Sequence, residues 1–252
     1  MTISEVQPGG PAVHVAAPGE GQPIGDWPPA PGTPARLLSP SDFPLWLVAA
    51  EVAAGTALDW GPGHGEEIVY VASGSLSTSA STCPEGGAVV LEAGAPLHLV
   101  ADEASLVLHF GSRTAAGATS GRVHVVGPGG TWALVADGRD SHYYADSTCT
   151  GCAVTLLYTS RSDAYESVIH SHSADEIIHL LAGRIEVGRW TLTPGSTLTV
   201  RHDASYRFHG GDEGFAFINF RAGPSTMRIP TRDEILVEGG EVNGFVPVMD
   251  LR

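Results

Sequence analysis

The most informative stretch of the chain reads His170-Ser171-His172-Ser173-Ala174-Asp175-Glu176, and Gly183 follows after six further residues. Side chains two residues apart on a β-strand point to the same face, so we expect His170 and His172 to project together. The break of three residues allows Glu176 to join them from a neighbouring strand. Two neutral imidazoles and one carboxylate suit a first-row divalent metal and leave coordination positions open. The stretch therefore predicts a metal site that carries chemistry or exchanges ligands, since structural metal sites are closed.

The same residues resemble the first motif of the cupin superfamily, which reads His-x-His, three or four residues, Glu, six residues and Gly. The second cupin motif begins with glycine, five residues, Pro and Gly, and the chain supplies Gly188 and Pro194-Gly195. The chain then departs from the family pattern, because Tyr206 stands where cupins usually carry a fourth ligand histidine and Asp203 replaces the glycine three residues earlier. The resemblance implies an all-β fold built from cupin barrels, also called double-stranded β-helices or jelly rolls. It also implies the metal ligands, which we predict to be His170, His172, Glu176 and Tyr206.

An internal repeat becomes visible when Glu67 is laid on Glu176. The segment Glu67-Ile-Val-Tyr-Val-Ala-Ser-Gly74 then matches Glu176-Ile-Ile-His-Leu-Leu-Ala-Gly183 at an offset of 109. The same offset sets Gly86 on Gly195 without a gap. The chain is therefore predicted to contain two tandem copies of one barrel.

The first copy lacks most of the predicted metal ligands. Opposite His170, His172 and Tyr206 it carries Gly61, Gly63 and Leu97, and only Glu67 is kept. We therefore expect a degenerate metal site in the first barrel. His64 and His98 lie one residue from ligand positions and could complete a site through a slipped loop. The favoured interpretation is that both are surface or rim histidines.

Composition along the chain predicts three regions. Residues 1–34 hold eight of the 18 prolines, with many Gly and Ala, and are interpreted as a flexible N-terminal arm. Further on, short runs of Val, Leu, Ile and Thr are punctuated by Gly, Pro and Asp, as is typical of a β-sandwich or barrel. We place the first barrel at 35–112 and the second barrel with its C-terminal tail at 122–252, with the break in the Gly, Ser, Thr and Ala-rich stretch 111–121.

Charge and cysteine content exclude several classes of function. The net charge is −15, and all 13 basic residues are arginine, so nucleic acid is not an expected partner. The absence of lysine excludes Schiff-base chemistry through an internal lysine. Three cysteines are too few for a disulfide framework, and Cys149-Thr-Gly-Cys152 is a lone C-x-x-C pair. No leader or membrane span is evident, so we expect a cytoplasmic protein without membrane contact.

Several residues near the predicted metal have alternative roles. Tyr206 either coordinates the metal as a phenolate or donates a hydrogen bond to a metal-bound group, with the second role favoured. His202 and His209 flank it, and either could supply the missing ligand or a base unless both face solvent. Arg201 and Arg207 could clamp an anionic substrate, although pairing at the surface with Asp203, Asp212 or Glu213 is favoured. Four aromatic residues are interpreted as pocket wall or, more simply, as core: Trp190, Phe208, Phe215 and Phe217.

Strand alternation predicts the surroundings of Glu176. If Glu176 points into the barrel, Ile178 and Leu180 line the same interior, while Ile177, His179 and Leu181 face outward. Both faces are apolar here, so the outer face should be covered by the other barrel or by a second subunit. His179 is then an interface histidine with a satisfied ring. A homodimer is the expected assembly.

The resemblance to two-barrel cupins of the quercetin-dioxygenase type implies an enzyme. It would oxidise a small organic substrate with O2 at one mononuclear divalent metal, with Fe preferred and Mn, Ni, Cu or Zn as alternatives, and Glu176 or Tyr206 would handle the proton. A second hypothesis is a metal-dependent isomerase or lyase that does not use O2. A third is a non-catalytic barrel that binds a small molecule. Fold alone does not decide among them.

Overall fold

The computed structural model describes residues 12–113, 121–136, 138–146 and 153–230, together with the backbone of the strand at 234–238. The Cys149-Thr-Gly-Cys152 pair lies outside these residues. Within the described part of the chain every regular element is a β-strand except one 3-10 turn at Pro128–Gly130. The predicted all-β fold with two barrels is therefore confirmed. No helix in this part has the length and apolar character needed to cross a membrane.

The first half of the chain folds into two facing antiparallel sheets. The larger sheet has seven strands in the order β12-β9-β6-β11-β4-β3-β2, and the smaller has four in the order β5-β10-β7-β8. The strands are β1 Val13–Ala16, β2 Gln22–Ile24, β3 Ala35–Leu37, β4 Leu45–Val52, β5 Ala57–Trp60, β6 Glu67–Ser73, β7 Ser75–Ser77, β8 Thr82–Pro84, β9 Ala88–Leu91, β10 Leu97–Ala101, β11 Ser105–Ser112 and β12 Val123–Val126.

The second half repeats this arrangement. A nine-stranded sheet has the order β1-β20-β18-β21-β15-β14-β13, with β16 added on β21 and β19 on β18, and a three-stranded sheet has the order β17-β22-β23. The strands are β13 Trp132–Ala136, β14 Arg139–Ala145, β15 Val154–Arg161, β16 Tyr165–Glu166, β17 Ser171–His172, β18 Glu176–Val187, β19 Trp190–Leu192, β20 Thr197–Val200, β21 His209–Ala222, β22 Ser225–Ile229 and β23 Glu234–Glu238.

Two strands cross between the halves, which corrects the predicted region boundaries. Strand β1, placed in the flexible arm, pairs with β20 of the second barrel, from Val13 opposite Val200 to Ala16 opposite Thr197. Strand β12, placed in the second barrel, pairs with β9 of the first. The interpretation of 1–34 as a flexible arm is also wrong for 22–24, because β2 pairs with β3. Local composition missed these pairings because the partner strands lie far away in the sequence.

A continuous apolar core joins the two barrels. The ring of Phe110 on β11 stacks on the ring of Phe220 on β21, with centroids 5.3 Å apart, and both side chains are fully buried. Ile177 belongs to the same core, and Leu181 packs against it. This confirms the predicted alternation along β18, because Ile178 and Leu180 lie instead in the core of the second barrel. The first barrel covers the outer face, so that face does not itself support the predicted homodimer.

The repeat glycines occupy equivalent tight turns. Gly74 and Gly183, at the ends of the aligned segments, have φ values of +83° and +71°. A Cβ atom at Gly183 would lie 2.1 Å from the carbonyl oxygen of Gly214. Gly86 and Gly195 also have positive φ. Gly74 and Gly183 therefore meet both a left-handed backbone and a close approach of neighbouring backbone, whereas Gly86 and Gly195 meet the left-handed backbone alone.

Candidate functional site

The second barrel brings the four predicted ligands into one buried cluster. His172 lies on β17, His170 immediately precedes it, and Glu176 is the first residue of β18. His170 and Tyr206 form a backbone bridge with hydrogen bonds of 3.0 and 2.9 Å. The ring centroids of the two histidines are 5.0 Å apart, and those of His170 and Tyr206 are 4.5 Å apart. The predicted projection of His170 and His172 toward Glu176 is consistent with this placement, while their role as ligands stays a prediction.

The backbone conformation of Asp203 explains why cupins usually carry glycine there. Asp203 has a φ of +59°, and among the described residues it is the only non-glycine residue with positive φ. Aspartate is one of the few residues that tolerate this conformation. Its backbone N–H donates a hydrogen bond of 2.7 Å to the carbonyl of His172. The departure from the motif therefore preserves the turn that fixes the backbone of His172.

Two side chains of β21 hold the carboxylate of Glu176. Asn219 Nδ2 donates to Glu176 Oε2 at 2.8 Å, and Arg221 Nη2 forms an ion pair with the same oxygen at 3.0 Å. Oε1 is buried, has no hydrogen-bond partner at normal distance among the described residues, and lies 3.8 Å from His172 Nε2. Arg221 Nη2 also approaches His172 Nε2 at 3.5 Å. One carboxylate oxygen is thus fixed by β21, and the other faces the histidine.

The charges around Glu176 keep it ionised. Burial by itself raises the pKa of this carboxyl, but the charges of His172 and Arg221 and hydrogen bonding from Tyr206 and Asn219 lower the pKa to about 2. A fully buried carboxylate is expensive unless it is paired and hydrogen-bonded. The site therefore presents an anionic oxygen at neutral pH.

The tautomer of His170 follows from its partner. Its Nδ1 lies 2.8 Å from the carbonyl oxygen of Val168. A carbonyl only accepts hydrogen bonds, so Nδ1 carries a proton, which in the neutral ring is the Nδ1–H tautomer. Metal-binding histidines are commonly oriented in this way by a backbone carbonyl. The contact with Val168 therefore fixes the orientation of the His170 ring.

The side chains of the cluster are of the types that bind divalent metals, although their donor atoms do not surround a common centre. Two donors that each lie about 2.1 Å from one ion can be up to about 4.2 Å apart, so the 3.8 Å between His172 Nε2 and Glu176 Oε1 is compatible with a shared ion. Throughout the described ranges, however, no three His, Cys, Asp or Glu side chains form a group that could hold a metal as they stand. A metal in this cluster would lie beside the cation of Arg221, which already pairs with Glu176.

Comparison with solved structures identifies the architecture. Protein Ylba from E. coli is 16% identical with a TM-score of 0.65, over 87% of this chain and 93% of that one. A candidate dioxygenase from Nostoc punctiforme is 11% identical with a TM-score of 0.67, over 91% and 87%. The chain has the two-barrel cupin fold. Oxalate decarboxylase from Bacillus subtilis, described with Mn(II) centres, is 15% identical with a TM-score of 0.56, over 76% and 73%. No protein-family model and no curated protein matches the sequence.

The flanking histidines and arginines of the second cupin barrel lie outside the cluster. His202 is exposed and contacts Asp203 at 3.1 Å, and His209 is exposed at the start of β21. Arg207 pairs with exposed Glu166 at 2.8 Å. Arg201 approaches Asp42 at 3.7 Å and lies over the ring of Phe43. Both arginines pair with carboxylates outside the cluster, as favoured, but the predicted partners Asp203, Asp212 and Glu213 are wrong.

His179 and the aromatic residues have the simpler of their predicted roles. His179 is buried, its Nδ1 lies 2.9 Å from Thr197 Oγ1, and burial lowers its pKa to about 4. Phe215 and Phe217 are buried in the core of the second cupin barrel, and Phe208 and Trp190 pack against them. His179 is thus a satisfied buried histidine, and the aromatic residues are core.

Glu67, the first-barrel counterpart of Glu176, has different hydrogen-bond partners. Glu67 Oε2 accepts hydrogen bonds from Trp60 Nε1 at 2.9 Å and from His109 Nε2 at 2.8 Å. Burial raises the pKa of Glu67, but these hydrogen bonds lower it below its ordinary value. Leu97 is the first-barrel equivalent of Tyr206, and it pairs with Trp60 in the same way as Tyr206 pairs with His170. Trp60 therefore occupies the position of His170, which the ungapped alignment had given to Gly61. The alignment was wrong here because the first barrel has one extra residue before Glu67.

Sequence reasoning missed the inward-facing residues of β11 and β21. His109 lies opposite Val69, and Asn219 opposite Ile178, which makes the two residues equivalent partners of the two glutamates. Gly111 is the corresponding equivalent of Arg221, and its missing side chain leaves room for Trp46, which lies 2.2 Å from a Cβ built there. The signal was available as the match between Leu-His109-Phe-Gly111 and Ile-Asn219-Phe-Arg221. Finding it required a one-residue gap.

The less favoured alternative, rescue of a first-barrel metal site by His64 or His98, is not supported. His98 is exposed and pairs with exposed Asp59 at 2.7 Å. His64 directs Nδ1 to the carbonyl of Gly65 at 2.6 Å and Nε2 to that of Ala95 at 2.8 Å. Both nitrogens of His64 therefore face backbone carbonyls, which agrees with the favoured interpretation of rim histidines.

Proposed function

We propose that this two-barrel cupin is a metal-dependent enzyme whose second barrel holds one divalent metal through His170, His172 and Glu176. The observation that carries the proposal is the buried, ionised Glu176, whose Oε1 has no hydrogen-bond partner at normal distance among the described residues and faces His172. The Mn(II) centres described for the oxalate decarboxylase of the same fold support it by analogy. Fe is the preferred metal, with Mn, Ni, Cu or Zn as alternatives.

The side chains around the cluster divide the remaining tasks. Asn219 and Arg221 hold Glu176 Oε2 and so aim Oε1 into the site. Val168 fixes the ring of His170, and the turn at Asp203 fixes the backbone of His172. The phenol of Tyr206 can hold or donate a proton beside the carboxylate. The bound metal would supply a centre that orients a small organic substrate and O2 together.

The finer proposal is a dioxygenase-type oxidation of a small organic substrate. The candidate dioxygenase from Nostoc punctiforme shares the fold, whereas the oxalate decarboxylase is a neighbour with a different activity. The test measures O2 consumption by metal-loaded protein with a panel of enols, flavonols, diketones and catechols. We expect substrate-dependent O2 uptake that is lost in Glu176→Gln and kept in Glu186→Gln, which changes a half-exposed carboxylate on the same strand. Substrate turnover under anaerobic conditions would instead assign the isomerase or lyase function.

A second candidate function is favoured by Arg221. Its guanidinium already neutralises Glu176 and contacts His172, as a metal would, and the described side chains do not form a three-ligand group. A metal-free cupin barrel that binds a small molecule would have this arrangement. Ligand binding that is unchanged by chelators and by His170→Ala would support this function over the enzymatic one.

A further inference from the structure

The first barrel contains a cavity of about 670 Å³, and the proposed function of the second barrel does not use it. Its volume lies within the roughly 300–1,000 Å³ of small-molecule sites. Three of the five tryptophans of the chain line it: Trp27, Trp46 and Trp60. Most residues from Gln22 to Pro29 form one wall. The segment predicted to be a flexible arm is therefore part of a built cavity.

A hydrogen-bonded relay fixes the polar end of this cavity. Trp27 Nε1 lies 3.1 Å from His109 Nδ1, and His109 Nε2 lies 2.8 Å from Glu67 Oε2. An indole N–H only donates, so Nδ1 accepts and the proton of His109 is on Nε2. Trp60 supplies the second donor to Oε2. Both hydrogen bonds described for Glu67 are accepted by Oε2, which leaves Oε1 for a ligand, and Glu67 lines the cavity. A ligand is therefore offered one carboxylate oxygen.

The same contacts exclude a metal as the ligand of this cavity. Both nitrogens of His109 are used by Trp27 and Glu67. Both nitrogens of His64 lie within hydrogen-bonding distance of backbone carbonyls. All four imidazole nitrogens are therefore engaged by the protein, and Glu67 alone is not a metal site.

The charge and surface of the cavity favour an organic cation. Glu67 is the carboxylate at the polar end of the cavity, whereas Asp59 at its rim pairs with exposed His98 and Arg113 donates through Nε to the carbonyl of Phe43. Indole rings attract cations more strongly than other aromatic rings do. We propose that the first barrel binds a ligand of the alkylated-ammonium class, with the cation against the tryptophans and its charge opposite Glu67. An anion would meet the carboxylate of Glu67 and is disfavoured.

The test uses choline and its neutral isostere 3,3-dimethyl-1-butanol as probes in isothermal titration calorimetry. The two have nearly the same shape, so a difference in affinity reports the cationic charge. We expect choline to bind about tenfold or more tightly than the isostere. Glu67→Gln should remove most of that difference. Glu51→Gln, which removes an exposed carboxylate from the same barrel, should leave it unchanged.

Further variants protect the test against a folding defect. Trp46 is partly exposed and contacts the ring of His109 edge-on, but it makes none of the hydrogen bonds of the relay. Trp46→Leu therefore removes one indole and keeps those hydrogen bonds, and it should weaken choline binding several-fold. His172→Ala should have no effect, because it changes only the other barrel. Equal affinities for choline and the isostere, no choline binding at millimolar concentration, or binding that survives both cavity variants would overturn the proposal.

Discussion

Replacing Arg221 by methionine tests how the buried carboxylate of Glu176 is stabilised. The two side chains are 6% and 1% exposed, and their ion pair spans 3.0 Å. Removing one partner of a buried pair costs about 3–5 kcal/mol because the other charge is left uncompensated. Asn219 still donates to Oε2 in the variant, so we expect a loss near the lower end, about 3 kcal/mol. Methionine keeps much of the apolar volume of the side chain and limits the contribution from a cavity.

The assay is urea unfolding at pH 7 of metal-free wild type, Arg221→Met, Glu176→Gln and the double variant. Because the two residues contact each other, their effects should be non-additive, with a coupling of about 1–3 kcal/mol. Arg207→Met is the matched control, since its pair with Glu166 is as short but both side chains are more than half exposed, and it should cost less than about 1 kcal/mol. The reasoning is refuted if Arg221→Met unfolds like the control, or if the two single effects simply add.

Three further predictions concern the framework of the site. Burial lowers the pKa of His179 from its ordinary value of 6.5 to about 4. Between these two pH values the folded state binds fewer protons than the unfolded state does, so about 3 kcal/mol of stability should be lost as the pH falls from 6.5 to 4. His179→Asn should flatten that part of the pH–stability curve, and exposed His98→Asn should not. Phe110→Ala should cost about 3–5 kcal/mol in denaturant unfolding, whereas Leu106→Ala, on the same strand but 37% exposed, should cost less than about 1 kcal/mol; similar losses would mean that the inter-barrel core is not formed. Gly183→Ala should destabilise by more than about 2 kcal/mol and clearly more than Gly188→Ala, because both have positive φ but only Gly183 is crowded by backbone; thermal unfolding of the pair decides this.

Local periodicity was sufficient to predict the second-barrel cluster. His170, His172 and Glu176 lie close together in the sequence. Side chains two residues apart on a β-strand point to the same face, so local spacing alone predicts that the two histidines project together. The alternation along β18 was predicted for the same reason, since Ile177 and Ile178 face different cores. What the spacing could not include was Arg221, which reaches Glu176 from a strand that begins 33 residues later at His209.

The misread parts depend on pairings between distant residues. The prolines of the N-terminal segment suggested a flexible arm, yet Pro23 lies on the edge strand β2, where a missing N–H is tolerated. Trp27 is held by His109, a partner 82 residues away that no local pattern reveals. The extra residue before Glu67 moved Trp60, and not a glycine, into the position of His170. The first barrel, for which the sequence predicted only a degenerate metal site, thus contains a cavity lined by tryptophans.

The metal content of the second barrel tests the central claim most directly. The measurement is plasma mass spectrometry of protein purified without a metal-affinity tag, comparing wild type, His172→Ala and the exposed-histidine control His202→Ala. The account predicts close to one divalent metal ion per chain in wild type and in the control, and its loss in His172→Ala. Wild-type protein that remains metal-free after reconstitution, or His172→Ala that retains the ion, would contradict it.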